Sequence, residues 1–140
     1  MPTIKRIHHV ALVVDDLERA LSFWRDALGL PLGAIEDIPE QQSKVAFLRA
    51  GASDIELVKP ITDDSGIARY LAKRGPGMHH VCLEVSDLDQ LLARLRQRGI
   101  RLITPAPVTG SDGKRMAFIH PESAQGVLVE LYQLPHPDPT

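Results

Sequence analysis

Hydrophobic and polar positions follow the same order in the two halves of the chain. In the first half, an apolar run at residues 7–14 precedes a segment in which apolar residues recur 3, 4, 7 and 11 positions after Leu17. The run predicts a strand, and the spacing predicts an amphipathic helix over residues 17–28 that Asp15 or Asp16 caps and Gly29 ends. In the second half, a similar helix with four leucines on one face is expected between Asp87 and Gly99.

Three candidate strands follow each helix. They cover residues 31–37, 44–49 and 55–59 in the first half and residues 101–103, 115–119 and 127–133 in the second. Between the halves, Ser65 and the two aspartates before it offer an N-cap for a short helix that Gly75 closes. The pattern predicts an α+β fold of two tandem strand-helix-three-strand modules.

A sequence repeat supports this division. The chain reads IHHVALVVDDLERAL at residues 7–21 and MHHVCLEVSDLDQLL at residues 78–92, with eight of fifteen positions identical at an offset of 71. Two copies with so long a period indicate a duplicated module inside one domain. We expect a single domain over residues 1–140, with module one at about 5–60, a linker helix at about 63–75 and module two at about 77–133.

Composition excludes several classes of function. The chain has 140 residues, a net charge of −2 and one cysteine. This charge is not the strong positive charge expected of a protein that binds nucleic acid or an anionic membrane. No apolar run approaches the roughly 20 residues of a membrane span. The first residues carry no signal-peptide pattern. We therefore expect a cytoplasmic protein without a nucleic-acid or membrane partner.

The candidate chemistry lies in residues that the repeat places at equivalent positions. Each module has a pair of adjacent histidines near its start, and Glu56 of the first module matches Glu130 of the second. Both glutamates lie within strands among apolar residues, so each carboxylate is predicted to be at least half buried. Burying an ionised carboxylate costs several kcal/mol unless a cation or several donors compensate. A divalent metal held by both glutamates and two histidines would provide this compensation.

Only one histidine of each pair can belong to such a site, because adjacent strand residues point to opposite faces. The candidates are His8 or His9 in the first module and His79 or His80 in the second. The alternation of side chains leaves both choices open.

Several segments resemble a known family. The paired modules and the segment HHVALVVDDLERALSFWRDALGL are similar to the vicinal oxygen chelate superfamily. The resemblance narrows to the methylmalonyl-CoA epimerase family through EDIPEQQ, DIELVKPITDDSGIARYLAKRGPGMHHVCLEV and HPESAQGVLVELYQ, and it covers almost the whole chain. It implies a vicinal oxygen chelate fold whose sheets form a cleft around a metal. It also implies epimerisation of methylmalonyl-CoA between its 2R and 2S forms, in propionate metabolism.

The resemblance also implies roles for individual residues. Carried over position by position, the metal ligands are His9, Glu56, His80 and Glu130. Some family members have glutamine at the place of Glu56, which also offers an oxygen ligand. Glu40, in the PEQ loop, is implied as a catalytic base opposite Glu130, which is the second catalytic carboxylate.

Further implications concern the cofactor and partners. The resemblance favours cobalt as the divalent metal, although imidazole and carboxylate ligands also suit manganese, nickel or zinc. It implies an acyl-CoA substrate and a homodimer. Lys114 and Arg115 follow a glycine turn, where they would either contact the coenzyme A phosphates or belong to a solvated loop.

Three other functions are considered within the same superfamily. A glyoxalase-type lyase or isomerase would use the same two histidines and two glutamates for proton transfer. An extradiol dioxygenase would use two histidines and one carboxylate, and Glu56 as a fourth ligand argues against it. A non-catalytic small-ligand-binding protein would need no such set of four residues.

Overall fold

The computed structural model of the protein describes residues 2–110 and 112–135. Within it the chain divides into two compact units. Residues 9–79 form the first unit, and the described residues of 1–8 and 80–140 form the second. The division passes through both histidine pairs, between His8 and His9 and between His79 and His80.

The first unit follows the order predicted for module one. Its strands lie in the order β2-β3-β4-β1, with β1 parallel to β4 and the other pairs antiparallel. The elements, in chain order, are β1 (Ile4–Val13, of which residues 9–13 belong here), α1 (Leu17–Leu21), a π-helical turn (Ser22–Ala27), β2 (Leu32–Ile38), a 3-10 turn (Pro39–Gln41), β3 (Ser43–Ala50), β4 (Ser53–Pro60) and α2 (Gly66–Arg74).

The second unit has the same arrangement. Its strands lie in the order β5-β8-β7-β6, with β5 parallel to β8 and the other pairs antiparallel. The elements are β5 (Gly77–Val85, from residue 80 onward), α3 (Leu88–Gln97), β6 (Val108–Thr109), β7 (Arg115–Ile119), a 3-10 turn (Pro121–Ser123) and β8 (Val129–Gln133). The start of the chain also belongs here, because Thr3 and Ser86 exchange two hydrogen bonds of 2.9 and 3.0 Å.

The helix ends are set by local chemistry, as predicted. The carboxylates of Asp16 and Asp87 each accept a hydrogen bond from the backbone N–H three residues on, which satisfies a donor that the first helical turn leaves open. Beyond the helices, Gly29 and Gly99 adopt the positive φ angles of +85° and +75° that favour glycine. No helix in the described ranges is both long enough and apolar enough to cross a membrane.

Each unit has its own hydrophobic core between helix and sheet. In the first unit, Leu17 and Leu21 of α1 are buried against Leu48 and Leu57 of the sheet. In the second unit, α3 makes the corresponding contacts through Leu88 and Leu92, which pack on Val85, Ala117 and Leu131. The apolar helix faces predicted from the sequence are therefore the faces that the helices bury.

The helix predicted over residues 17–28 is only partly α-helical. After Leu21 the chain continues as a π-helical turn, in which the N–H of Leu28 donates to the carbonyl of Phe23 at 2.9 Å. That bond spans five residues instead of four, so the turn holds an extra residue that apolar spacing does not reveal. Trp24 of this turn still packs against the core of the first unit.

The strand predicted at residues 101–103 is wrong. Of these residues, Leu102 forms one isolated antiparallel bridge with Ile119. The strand at this end of the sheet is β6, whose two residues pair with β7. Pro105 and Pro107 lie in between, and a proline has no N–H to donate to a strand ladder. The prolines therefore separate the bridge from β6.

Candidate active site

Strand register decides which side chains share a face in the first unit. Ile55 and Leu57 of β4 pack into the core beneath α1. Glu56 lies between them and therefore points to the opposite face of the sheet. Ala11 of β1 pairs with Glu56, and His9 lies two residues earlier on the same face. The sheet thus brings His9 and Glu56 to its face away from α1.

His9 and Glu56 are in direct contact. The distance from His9 Nδ1 to Glu56 Oε2 is 3.0 Å. His9 is 1% exposed, and the Glu56 side chain is 14% exposed. The burial predicted for this carboxylate is confirmed, and the imidazole of His9 is one of its partners.

The second unit repeats this arrangement. Cys82 of β5 pairs with Glu130 of β8, and His80 lies two residues before Cys82 on the same face. His80 Nε2 is 3.0 Å from Glu130 Oε1. The Glu130 side chain is only 4% exposed, so this carboxylate is also buried, as predicted.

The other two histidines pack against aromatic rings. The His8 ring lies 4.9 Å from the Tyr132 ring, and the His79 ring lies 4.7 Å from the Tyr70 ring in an edge-on arrangement. The histidine-glutamate contacts are therefore made by the second member of each histidine pair. The sequence alone left this choice open.

Glu40 lies in a different setting from the other candidate residues. It is the middle residue of the 3-10 turn between β2 and β3, where a loop was expected, and it is exposed to solvent. Pro39 begins the turn, which suits the fixed φ angle of proline. An exposed carboxylate on a short, hydrogen-bonded turn is accessible to a substrate.

The two histidine-glutamate pairs suit a divalent cation. Imidazole nitrogen and carboxylate oxygen are ligands that first-row transition metals accept. Glu130 is buried and Glu56 is largely buried, and a cation would offset the cost of keeping these carboxylates ionised there. Each unit thus holds one imidazole and one carboxylate, and both are ligand types that such an ion accepts.

The second unit contains a buried carboxylate with two cationic partners that the sequence did not predict. Glu84 is 7% exposed, and its carboxylate accepts a hydrogen bond from Arg6 Nε at 2.7 Å and lies 3.6 Å from Lys5 Nζ. Burial raises the pKa of Glu84, but the hydrogen bond from Arg6 and the nearby positive charges outweigh it and hold the pKa below its usual value. The sequence did contain one indication of it. Glu84 stands where the first copy of the repeat has Val13, so the two copies differ here in charge.

Lys114 and Arg115 have defined partners within the second unit. The Lys114 ammonium lies 4.4 Å from the centre of the Tyr132 ring, a cation-π distance. Arg115 makes two hydrogen bonds to Asp89, of 2.8 and 3.0 Å. This pairing lowers the pKa of Asp89 and raises that of Arg115. Arg115 is therefore engaged by a carboxylate, and the Lys114 ammonium also lies 3.4 Å from Asp112 Oδ2.

Comparison with known proteins gives a consistent picture. Residues 8–118 match the model of the glyoxalase/bleomycin resistance protein/dioxygenase superfamily. The chain is 40% identical over 129 residues to the mitochondrial methylmalonyl-CoA epimerase of Mus musculus. The aligned residues cover 91% of this chain and 72% of that one. It is 39% identical over 133 residues to the ethylmalonyl-CoA/methylmalonyl-CoA epimerase of Cereibacter sphaeroides, covering 94% and 99% of the two chains.

A solved structure extends the similarity to the fold. A methylmalonyl-CoA epimerase in complex with methylmalonyl-CoA and ammonium superposes with a TM-score of 0.84 at 33% identity, covering 94% of this chain and 96% of that one. The predicted α+β fold class is confirmed by this similarity and by the observed order of strands and helices.

Proposed function

This chain belongs to the glyoxalase/bleomycin resistance protein/dioxygenase superfamily, and we propose that within it the protein is a methylmalonyl-CoA epimerase. The reaction is the interconversion of the 2R and 2S forms by removal and return of the proton at C2. The proposal is carried by the buried histidine-glutamate contact that each unit forms at repeat-equivalent positions, in a chain about 40% identical to epimerases that act on this substrate.

We propose that His9, Glu56, His80 and Glu130 hold one divalent metal ion. The contacts within each unit support this assignment, since they bring together one imidazole and one carboxylate from positions that the repeat relates. Such a cation, when bound, supplies electrostatic stabilisation of the negative charge that develops on the substrate oxygens. Cobalt is the metal that the family resemblance favours, with manganese, nickel and zinc as alternatives.

The proton transfer is assigned to two carboxylates. The C–H bond at C2 lies between a thioester and a carboxylate, so its proton is acidic and its loss gives a planar enolate. Inversion then requires one group that takes the proton from one face and another that gives a proton to the opposite face. We assign these roles to Glu40 and Glu130. Glu40 is exposed on its turn and Glu130 is buried beside His80, so the two occupy different environments.

The test is exchange of the C2 proton in deuterated water. Methylmalonyl-CoA of one configuration is incubated with the protein, and both incorporation of deuterium and inversion are followed. We expect both processes with metal-loaded protein, and loss of both after chelation with recovery on adding cobalt. Inversion that continues unchanged in metal-free protein would refute the metal assignment. Absence of exchange in fully metal-loaded protein would refute the assignment of methylmalonyl-CoA as the substrate.

The remaining assignments concern the oligomeric state, the compartment and the contacts to coenzyme A. We propose that the protein acts as a homodimer in the cytoplasm and that Lys114 contacts the phosphates of coenzyme A. Its position supports this, because it lies on the hairpin that leads into β7 with its side chain only partly exposed. Sedimentation at equilibrium tests the homodimer. A rise in KM for methylmalonyl-CoA in Lys114→Ala, without loss of metal, tests the phosphate contact.

A further inference from the structure

The turn that carries Glu40 is fixed by hydrogen bonds on both sides. The N–H of Gln42 donates to the carbonyl of Pro39 at 3.0 Å, which closes the 3-10 turn. The carbonyl of Gln42 accepts from the N–H of Ile61 at 2.9 Å, which ties the turn to the end of β4. The backbone around Glu40 is therefore attached to the sheet that holds His9 and Glu56.

The same turn contains an unfavourable backbone conformation. Gln42 has φ +50° and ψ +45°, in the left-handed region that residues other than glycine seldom adopt. Such conformations persist only where the surrounding contacts hold them, and they are frequent at functional sites. The hydrogen bonds around Gln42 are the contacts that can hold this turn.

Ser43 supplies one of these contacts from the interior. It is fully buried, at 0% exposure, and its hydroxyl donates to the carbonyl of Gln41 at 2.9 Å. Gln41 directly follows Glu40, so this bond fixes the carbonyl group of the residue next to the proposed base, in the peptide unit between Gln41 and Gln42. A small apolar residue would also fit this buried position of the strand. The hydrogen bond to Gln41 is therefore the reason we see for a serine here.

We propose that Ser43 is a positioning residue for Glu40. The proposal rests on the role of Glu40 in the proposed function and adds a residue that acts through it. Proton transfer depends steeply on the position of the base, and displacements of about 1 Å cost up to about 10²-fold in rate. Loss of the Ser43 hydroxyl leaves the Gln41 carbonyl without its donor, and the strained turn is then free to relax.

The experiment separates the two faces of the reaction. The rate of C2 proton exchange in deuterated water is measured for the 2R and the 2S substrate separately, in wild type, Glu40→Gln and Ser43→Ala. Glu40→Gln identifies the epimer whose proton Glu40 removes. We expect Ser43→Ala to slow exchange of that same epimer roughly 10- to 100-fold through kcat, with exchange of the other epimer within about twofold of wild type.

Two further variants serve as controls. Ser65 is also buried, and its hydroxyl caps α2 by accepting from the N–H of Ala68. Ser65→Ala therefore removes a buried serine hydroxyl elsewhere, and it should leave the ratio of the two exchange rates unchanged. Ser43→Thr keeps the hydroxyl and should retain the wild-type ratio even if the added methyl group lowers the yield of folded protein. The ratio compares two substrates on one preparation, so it does not depend on the folded fraction.

The outcomes are distinct. An equal loss with both epimers in Ser43→Ala assigns Ser43 a general structural role and overturns the proposal, as does a ratio equal to that of wild type. If Glu40→Gln itself epimerises at the wild-type rate, the base assignment fails and the proposal fails with it. If Glu40→Gln is selectively impaired but Ser43→Ala is not, only the positioning role is lost.

Discussion

Individual side chains in this protein take their roles from burial as much as from chemical type. His8 and His9 are neighbours of the same type, yet one packs against the Tyr132 ring and the other contacts the largely buried carboxylate of Glu56. Glu40 and Glu130 differ in the same way, since one is exposed on a turn and the other lies inside a sheet. The environment of each side chain therefore depends on its position in a strand or turn and on the residues that it contacts there.

The first prediction concerns the proposed metal ligands. His80→Ala and Glu130→Ala should each abolish stoichiometric metal binding and activity together, because loss of one ligand leaves the remaining carboxylates uncompensated. Metal content after gel filtration, measured by elemental analysis, checks this. His8→Ala and His79→Ala serve as matched controls that should keep the metal. Full metal occupancy in His80→Ala would remove that residue from the site.

The second prediction concerns Glu84, whose pKa is lower in the folded protein than in the unfolded chain. Its stabilising effect is complete above the unfolded pKa of about 4.3 and is lost as pH falls through the lower folded value. Glu84→Gln should therefore lower the free energy of unfolding by about 1–3 kcal/mol at pH 7, and by progressively less below about pH 4.

Urea unfolding across this pH range measures the difference. Glu122→Gln is a suitable control, because Glu122 pairs with Arg101 at 2.9 Å while both side chains are largely exposed. Its effect should stay below about 1 kcal/mol at pH 7. A constant difference between wild type and Glu84→Gln at all pH values would contradict the assigned charge interaction.

At the scale of elements, short-range signals decide where helices begin and end. Asp16 and Asp87 cap α1 and α3, and Ser65 caps α2. These caps act within three residues, so they were visible in the sequence. The π-helical turn after Leu21 and the two-residue strand β6 were not, because each depends on how a segment packs rather than on a local pattern.

The third prediction tests the first cap. The sequence allowed either Asp15 or Asp16, and only Asp16 accepts a hydrogen bond from Arg19 N in the structure. Asp16→Ala should lower the free energy of unfolding by about 1 kcal/mol, while the exposed neighbour Asp15→Ala should change it by less than about 0.5 kcal/mol. Chemical denaturation of the two variants side by side provides the measurement. Equal losses would mean that charge near the helix start, rather than the cap, is responsible.

At the scale of the whole molecule, the two units repeat one topology and each forms its own histidine-glutamate contact. The proposed metal would take two ligands from each unit. A ligand that binds the folded chain but not the unfolded chain raises the free energy of unfolding. The increase grows with the logarithm of the ratio of ligand concentration to Kd. Metal affinity and global stability should therefore be linked.

The fourth prediction follows from this linkage. Cobalt at about 100 times its Kd should add about 2.7 kcal/mol to the free energy of unfolding and raise the Tm. Glu130→Ala should lose this increase, whereas Glu40→Gln should retain it, because Glu40 is assigned to proton transfer and not to the metal. Thermal unfolding with and without cobalt distinguishes the variants. A Tm that rises equally in Glu130→Ala would place the metal elsewhere.

Much of the molecule could be predicted because its signals are local or repeated. Apolar spacing and caps predicted the helices. The repeat predicted the matched positions of Glu56 and Glu130, which follow the aligned segments after three extra residues in the second copy. The sequence could not choose between adjacent histidines, since that depends on which face of the strand is covered. It also missed the contact between Arg6 and Glu84, which are 78 positions apart. The joint metal site and the role of Glu40 remain predictions.

The contact between Arg6 and Glu84 also limits the order in which substitutions can accumulate during evolution. The first copy of the repeat keeps the buried valine Val13 where the second has Glu84. If the ancestral module was apolar here, a glutamate could be tolerated only after a cation was already in place, because a buried unpaired carboxylate is strongly destabilising. Loss is constrained in reverse. Lineages that discard the pair should lose Glu84 first, since the partly exposed Arg6 can stay solvated without its partner.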